Sequence, residues 1–226
     1  SLKEYANIHL VLIVVDSFID KYLCPIDIMS RVDFELVYSF DRKDCEKYNM
    51  IFTQAQYSKR EGVKPAAEHC DLFFIGRAKD RLKLLKSIAN KAVLYGLKIK
   101  FFVMSVPRNE REEIEGVSYI DEVIPYDKIL PIMLSSDCFV DLVQKGQSGF
   151  TMRVYEAVFY NKKLITNNSS IVDFPYYRDK WIKYFDNVDE LDRDFFTDSD
   201  KVDFKYKGEY STIHLLKDMK VRLFNN

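Results

Sequence analysis

The stretch of sequence that decides the fold spans residues 141–168 and reads DLVQKGQSGFTMRVYEAVFYNKKLITNN. A short apolar strand is predicted over 138–143, a glycine-rich turn at 146–149, a helix over about 151–160 and a second strand over 163–166. A turn that opens a helix leaves backbone N–H groups and the positive end of the helix dipole pointing outward. The stretch therefore predicts a β-α-β unit with an anion site, and phosphate is the usual anion at such a site.

Two charged residues stand inside the predicted helix, which is otherwise apolar almost all round. Arg153 and Glu156 are three residues apart, so they share one face of the helix. An apolar helix is normally buried, and buried charges are costly unless they are paired or bind something. Two roles stay open for Glu156, namely pairing with Arg153 inside the domain or accepting from both hydroxyls of a ribose. Gln147, Ser148 and Thr151 carry side chains that can bind phosphate or sugar hydroxyls.

Length, composition and charge describe an ordinary globular chain. The chain has 226 residues, of which 47% are hydrophobic and 31% charged, and a formal net charge of −1. This balance disfavours a general nucleic-acid binder, because no basic excess is available to neutralise phosphates. The 4 cysteines form no C-x-x-C pair, which disfavours a zinc site and fits buried thiols in a reducing, cytoplasmic compartment.

Strands and helices alternate along the chain, and this alternation predicts two β/α blocks. Residues 1–57 form a small, partial block, residues 58–70 a linker without periodicity, and residues 71–226 a larger domain that ends in an amphipathic helix. Strands alternating with helices of about 10–15 residues imply an α/β fold, a Rossmann-like, doubly wound parallel sheet. Ligands of such sheets bind beyond the carboxyl ends of the strands. The predicted strands are 9–15, 34–40, 50–55, 71–75, 98–103, 123–124, 138–143 and 163–166.

Charged residues follow two of these strands directly. The segment DLFFIGR at 71–77 ends in Gly76, which permits a sharp turn, and in Arg77, which is expected to project from the strand's carboxyl end. An arginine there can bind a phosphate through two N–H groups, and Arg81 follows four residues later. The alternative is a solvated basic start to a helix. Asp16 ends the first strand, where it is either a catalytic base or a helix cap.

Two other functions are considered for the polar motifs, namely serine hydrolysis and metal-dependent glycosyl transfer. The turn GQSGF is similar to the G-x-S-x-G elbow of serine hydrolases, but its second glycine comes one place too early. Two D-x-D patterns, at 192–194 and 198–200, are typical of metal-dependent glycosyltransferases. Both lie in a polar stretch rather than at a strand end, so solvated loops and no metal site are expected. His9 and His69 are expected to be structural.

Three segments together resemble the donor-binding half of bacterial glycosyltransferases that build lipopolysaccharide and capsule. They are FIGRAKDR at 74–81, IPYDKIL at 124–130 and the stretch at 141–168. The segment VYSFDRKD at 37–44 is also similar to the piece that precedes the donor domain in this group. The resemblance covers about residues 71–175 and implies a GT-B fold, in which two Rossmann-like domains face a cleft and the carboxyl-terminal one binds a nucleotide sugar.

The resemblance also implies roles for individual residues. Arg77 would neutralise the diphosphate, the backbone at 148–151 would cradle it, and Glu156 would hold the ribose. A UDP- or similar sugar donor and a glycan or lipid-linked acceptor would be the partners, with no cofactor and no bound metal. The protein would work at the inner face of the membrane, associated with it through a segment outside this sequence. The predicted donor site comprises Gly76, Arg77, Arg81, Gln147, Ser148, Gly149, Phe150, Thr151, Arg153 and Glu156.

Three alternatives to a complete glycosyltransferase stay open. GT-B enzymes usually exceed this length, so the chain is expected to be a fragment with a truncated acceptor domain and incomplete activity. A non-catalytic relative that binds nucleotide sugars, or serves as a scaffold, is the second alternative. The third is a different doubly wound enzyme, such as a nucleotide-sugar epimerase or a dehydrogenase. That third class needs a G-x-G-x-x-G turn after the first strand, which this sequence lacks.

Overall fold

The chain divides into two compact units. A computed structural model describes residues 8–15, 26–54, 57–145, 147 and 149–224. The first unit comprises Ser1–Ser58, Gly146–Met152 and Lys207–Asn226, and the second comprises Lys59–Lys145 and Arg153–Tyr206. Both units are built from parallel strands and helices, which confirms the predicted α/β class of Rossmann-like type.

The elements are numbered in chain order over the described residues. The strands are β1 (Val11–Val14), β2 (Leu36–Ser39), β3 (Ile51–Phe52), β4 (Cys70–Arg77), β5 (Ile99–Met104), β6 (Val117–Ile120), β7 (Ser136–Asp141), β8 (Lys163–Thr166) and β9 (Ile182–Tyr184). The α-helices are α1 (Ile26–Arg31), α2 (Arg42–Tyr48), α3 (Leu82–Leu94), α4 (Tyr126–Leu134), α5 (Met152–Phe159), α6 (Arg193–Thr197) and α7 (Thr212–Phe224). None of these helices is long and apolar enough to cross a membrane.

The first unit contains a three-stranded parallel sheet in the order β1-β2-β3. Val14 lies opposite Ser39, and Ser39 lies opposite Phe52, so the carboxyl ends of the three strands are level. Helix α2 connects β2 to β3 and begins at Asp41, whose side chain accepts from the backbone N–H of Lys43. Such capping satisfies one of the donors that a helix start leaves free.

Helix α7 packs in the first unit. Its buried residues Leu215 and Met219 contact Tyr38 of β2, together with half-buried apolar side chains of the small sheet. The sequence-based division placed this helix in a continuous domain over 71–226. Packing of an apolar helix face onto the small sheet is the physical reason why the structure groups it with the first unit. The donor and acceptor roles assigned to the two blocks stay predictions.

The second unit contains a six-stranded parallel sheet in the order β6-β5-β4-β7-β8-β9. Counted within this unit, the order is 3-2-1-4-5-6, the doubly wound arrangement. Strands of such sheets are covered on both faces, so they are apolar along almost their whole length. Strand β4 fits this description, since Cys70, Leu72, Phe73 and Phe74 are all at most 4% exposed.

The predicted strand at 123–124 is wrong. The edge strand is β6, and it pairs with β5 from Phe101 opposite Val117 to Met104 opposite Ile120. Gly116 precedes it with φ of 78°, and a Cβ atom there would lie 2.3 Å from the carbonyl oxygen of Ile99. Only glycine fits this approach, so the chain joins the sheet directly after Gly116. Val123 is 72% exposed. Strand β9 was not predicted, because three residues are too few to show a periodic pattern.

Candidate functional site

In the second unit, β4 and β7 are paired over only part of their length, toward their amino ends. The pairing between these strands extends only to Phe73 opposite Phe139, whereas β4 continues beside β5 as far as Arg77. The strand order reverses at this point, because the chain winds to one side of β4 first and to the other side afterwards. Crevices at such switch points are the usual ligand sites of doubly wound sheets. We refer to this place as the switch-point crevice.

Two of the predicted arginines lie at the switch-point crevice, but they differ in what they contact. The guanidinium of Arg81 donates to the carbonyl oxygens of Leu142 and of Arg77, the latter at 2.7 Å. Burial lowers the pKa of Arg81, because water no longer solvates its charge fully. The side chain of Arg77 is exposed at the end of β4. Arg81 therefore connects the two strand ends, and Arg77 presents a positive charge to solvent beside them.

The loops that follow β7 and β8 are tied together by side-chain hydrogen bonds. Asn167 accepts from the backbone N–H of Val143 at 2.7 Å and donates to the carbonyl oxygen of the same residue at 3.3 Å. The hydroxyl of Thr166 donates to the carboxylate of Asp141 at 2.8 Å. These contacts hold the ends of β7 and β8 together. No role is predicted for these residues from the sequence, although polar residues at the ends of parallel strands were the available signal.

Glu156 and Arg153 form a buried pair on α5. The Nη1 atom of Arg153 lies 2.6 Å from Oε2 of Glu156, and the glutamate side chain is only 4% exposed. Oε2 makes no hydrogen bond to any described residue, so the contact with Arg153 is electrostatic rather than an aligned hydrogen bond. The guanidinium also lies over the rings of Phe73 and Phe139, at 5.4 and 5.3 Å from their centroids. Of the two roles left open, this geometry directly displays the pairing, and the ribose role stays a prediction.

Tyr126 completes the surroundings of Glu156 and was missed by the sequence reasoning. Its hydroxyl donates to Oε1 of Glu156 at 2.8 Å. The guanidinium of Arg60 lies 5.0 Å from the centroid of the Tyr126 ring, a distance at which the ring attracts a cation. Tyr126 belongs to the segment IPYDKIL, but nothing in that segment indicates that its tyrosine contacts a carboxylate 30 residues away.

Gly76 lies in the second unit within β4, opposite Val103 of β5, so the sharp turn expected at this residue is wrong. The remaining predicted donor residues that the structure describes lie in the first unit. Gln147, Phe150 and Thr151 line a cavity of about 540 Å³. Residues at or just beyond the carboxyl ends of the small sheet's strands, such as Phe40 and Thr53, line the same cavity. The cavity wall is mostly apolar. Two predicted residues, Ser148 and the candidate base Asp16, lie outside the described residues.

The glycine-rich turn does not leave all of its N–H groups free, and for Gly149 this expectation is wrong. Its backbone N–H donates to Oδ2 of Asp41 at 3.3 Å. A Cβ atom on Gly149 would lie 2.6 Å from Cε2 of Phe40, so only glycine fits beside that ring. The backbone N–H of Gly149 is therefore used by a carboxylate of the chain itself, and the phosphate site predicted at this turn stays a prediction.

The expectation of a solvated loop is confirmed for the D-x-D pattern at 198–200 and is wrong for the one at 192–194, which lies at the start of helix α6. Asp192 caps α6 by accepting from the backbone N–H of Phe195 at 2.8 Å. Asp198 accepts from the backbone N–H of Asp200 at 2.9 Å, and Asp200 pairs with Lys180. Local capping and ion pairing account for both patterns.

Comparison with known proteins finds likeness in structure and none in sequence. No protein-family model matches the chain, and no curated protein matches it in sequence. The chain is similar to a solved structure described as the apo form of the lipopolysaccharide outer core galactosyltransferase WaaB, with 11% identity and a TM-score of 0.47. The match covers 85% of this chain and 62% of that one, so this chain spans less than two thirds of that structure. A likeness of this size bears on neither chemistry nor substrate.

Proposed function

We propose that the chain is part of a glycosyltransferase that moves a sugar from a nucleotide-sugar donor to a cell-surface polysaccharide or lipopolysaccharide acceptor. The observation that carries the proposal is the exposed guanidinium of Arg77 beside the switch-point crevice of a doubly wound sheet. Nucleotides bind at such crevices in other doubly wound sheets. A diphosphate needs a counter-charge at this point, and a guanidinium can supply it through two parallel N–H groups.

The contacts of Arg81 support different roles for Arg81 and Arg77. Its donors are used on the carbonyl oxygens of Leu142 and Arg77, so it holds the two strand ends in place. Arg77 is then the group that meets the phosphates. The proposal needs no metal at this site, because guanidinium charge can take over the stabilisation of the leaving diphosphate.

The ribose role proposed for Glu156 requires a rearrangement of its neighbours. One carboxylate oxygen accepts from Tyr126, and the other lies against Arg153 without a hydrogen bond. A ribose hydroxyl would therefore replace the hydroxyl of Tyr126 or use the unfilled acceptor capacity of Oε2. The first event requires Tyr126 to move and the second requires a side chain next to Oε2, such as Arg153, to move, because the carboxylate is almost fully covered.

For the acceptor side, we propose the first unit. Its cavity of about 540 Å³ has the size of a small-molecule site, and its wall includes Val14, Phe40, Phe150 and Leu215. Apolar walls of this kind suit the lipid part of a lipid-linked acceptor better than a free sugar, whose hydroxyls need hydrogen-bond partners.

The test of the donor site is a calorimetric titration of UDP, GDP, CDP and dTDP into the chain in the presence of EDTA. We expect one of them to bind, and Arg77→Gln to weaken it roughly ten- to a hundredfold, because a hydrogen bond to a charged group contributes about 1.5–3 kcal/mol. Arg193→Gln is the matched control, since Arg193 is an exposed arginine at the start of α6 in the same unit. The control should bind like the unmodified chain.

Two results would contradict the donor site. One is equal affinity in Arg77→Gln and Arg193→Gln. The other is binding that disappears in EDTA and returns with Mn²⁺, which would favour the metal-dependent class. Incubation with the matching nucleotide sugar then separates enzyme from relative, because binding without release of the nucleoside diphosphate would indicate the non-catalytic alternative.

A further inference from the structure

We propose that His69, Asp71 and Asp137 form a site for a divalent transition metal ion such as Zn²⁺ in the second unit. One ligand atom from each of these residues lies within 4.8 Å of the others. The site lies at the amino ends of β4 and β7, so it is separate from the switch-point crevice. The proposal goes beyond the proposed function and does not depend on it.

The register of the sheet explains why these three side chains converge. Cys70 lies opposite Ser136, and Leu72 lies opposite Cys138, so Asp71 and Asp137 are neighbours on adjacent strands. Alternate residues of an extended chain point to the same face, which places His69 beside Asp71. Nε2 of His69 already lies 2.9 Å from Oδ2 of Asp137.

The three side chains carry ligand atoms that transition metals bind, and the separations between these atoms are close to those in a metal site. Zn²⁺ binds imidazole nitrogen and carboxylate oxygen at about 2.0–2.2 Å, so its ligand atoms stand roughly 3.4 Å apart in a tetrahedron. A small rotation of exposed side chains closes the difference from 4.8 Å. Oδ2 of Asp71 accepts from the backbone N–H of Lys98 at 2.6 Å, and such a bond orients a metal-binding carboxylate.

The electrostatics of the site also favour a cation. Like charges side by side on neighbouring strands destabilise a sheet, and Asp71 and Asp137 form such a pair. A divalent ion would neutralise both carboxylates together. His69 also lines a cavity of about 550 Å³, which gives room for water or a small ligand at the remaining positions of the metal.

The proposed metal site and the proposed nucleotide site are far apart on the same strand. Asp71 and Arg77 are six residues apart on β4, which corresponds to ~20 Å along an extended chain. Nucleotide binding in EDTA and metal binding at His69 are therefore independent observations. If one of these two binding tests gives a negative result, the proposal tested by the other is unaffected.

The experiment is a calorimetric titration of ZnCl₂ into metal-stripped chain, followed by the variants His69→Gln and Asp137→Asn. These two side chains are 55% and 57% exposed, so both variants should fold, which a melting curve checks. Asp71 is left unchanged because it also binds the backbone of Lys98. We expect one Zn²⁺ per chain, and at least a roughly tenfold loss of affinity in each variant, since even indirect supports of a metal ligand contribute this much.

The chain offers a matched control in His9→Gln. His9 is hydrogen-bonded to Glu35 at 2.8 Å, which copies the contact between His69 and Asp137. Among the described residues, only the His69 cluster brings together three or more groups of this kind, so His9 has no third ligand in that part of the chain. His9→Gln should therefore bind Zn²⁺ like the unmodified chain.

Unchanged affinity in both His69→Gln and Asp137→Asn, as expected for a metal held by cysteine thiols, would overturn the proposal. Equal loss in His9→Gln would overturn it as well.

Discussion

Two arginine–carboxylate pairs show how burial changes the consequence of the same chemistry. In the second unit, Arg153 and Glu156 lie three residues apart on α5, with side chains that are 14% and 4% exposed. In the first unit, Arg222 and Asp218 lie four residues apart on α7, with side chains that are 45% and 42% exposed. The separations between charged atoms are similar, at 2.6 and 2.8 Å.

A tyrosine hydroxyl belongs to each pair, which makes the comparison closer. Tyr126 donates to Glu156, and Tyr38 donates to Asp218, both at 2.8 Å. Each site is thus an arginine, a carboxylate and a tyrosine from a distant part of the chain. The two carboxylates differ in access to water, which replaces lost hydrogen bonds at a surface and cannot do so in an interior, whereas Tyr38 is itself buried.

The largest expected effect is therefore on stability, from Glu156→Gln. This change leaves Arg153 buried without its anion, and breaking a buried pair in this way costs about 3–5 kcal/mol. The melting temperature should fall by roughly 10 °C for a chain of this size. Asp218→Asn is the matched control, and its effect should stay below about 1 kcal/mol because the pair is exposed.

Thermal melting of both variants checks this expectation, and equal shifts would break the comparison between the two sites. The same Glu156→Gln protein also tests the ribose role. A roughly ten- to a hundredfold loss of nucleotide affinity in the folded fraction would support that role. Unaltered affinity together with a lowered melting temperature would leave Glu156 as a partner of Arg153 alone.

The second expected effect comes from Tyr126→Phe, which removes the hydroxyl that donates to Glu156. A hydrogen bond to a charged group contributes about 1.5–3 kcal/mol when no water takes its place. Tyr38→Phe makes the same change at Asp218, which is 42% exposed, keeps Arg222 and can accept from water in place of the lost hydroxyl, so its cost should be smaller although Tyr38 is itself buried. Urea unfolding of the two variants measures the difference. A larger loss in Tyr38→Phe would contradict the assigned role of burial.

The fold was largely predictable because its signals are local. An apolar run ending in a glycine and an arginine marked β4, and the alternation of strands with helices predicted parallel sheets wound on both sides. The edge strand β6 was misplaced, because its position depends on the close approach of Gly116 to Ile99. That approach is a contact between residues that are not neighbours in the sequence, so the hydrophobic periodicity of the sequence does not indicate it.

The candidate site was predictable only where its contacts are also local. The pairing of Arg153 with Glu156 followed from their spacing on a helix, as one of two open roles. The contact of Tyr126 with Glu156 bridges 30 residues, and that of Asp41 with Gly149 bridges 108. Both depend on how the elements pack, which the spacing of residues along the chain does not show.

The smallest expected effect is a pH dependence at Tyr38, a buried tyrosine whose hydroxyl donates to the more exposed Asp218. Burial, with the hydrogen bond to Asp218 and the negative charge of that residue, raises the pKa of Tyr38 to about 12. A tyrosine with a raised pKa in the folded chain loses its proton more readily when the chain unfolds. Its contribution to stability is therefore complete below about pH 10, the usual tyrosine pKa, and is lost as the pH rises toward 12.

We therefore expect the free energy of unfolding to fall more steeply between pH 10 and 12 in the unmodified chain than in Tyr38→Phe. The difference should be on the order of 1 kcal/mol, because Tyr38 is the one titrating group that the variant lacks. Tyr184, whose pKa is also raised to about 12, titrates in both proteins and cancels from the comparison. Urea unfolding at several alkaline pH values measures both curves. Parallel curves would show that Asp218 does not raise the pKa of Tyr38. The two tyrosine–carboxylate sites would then be alike only in the length of their hydrogen bonds.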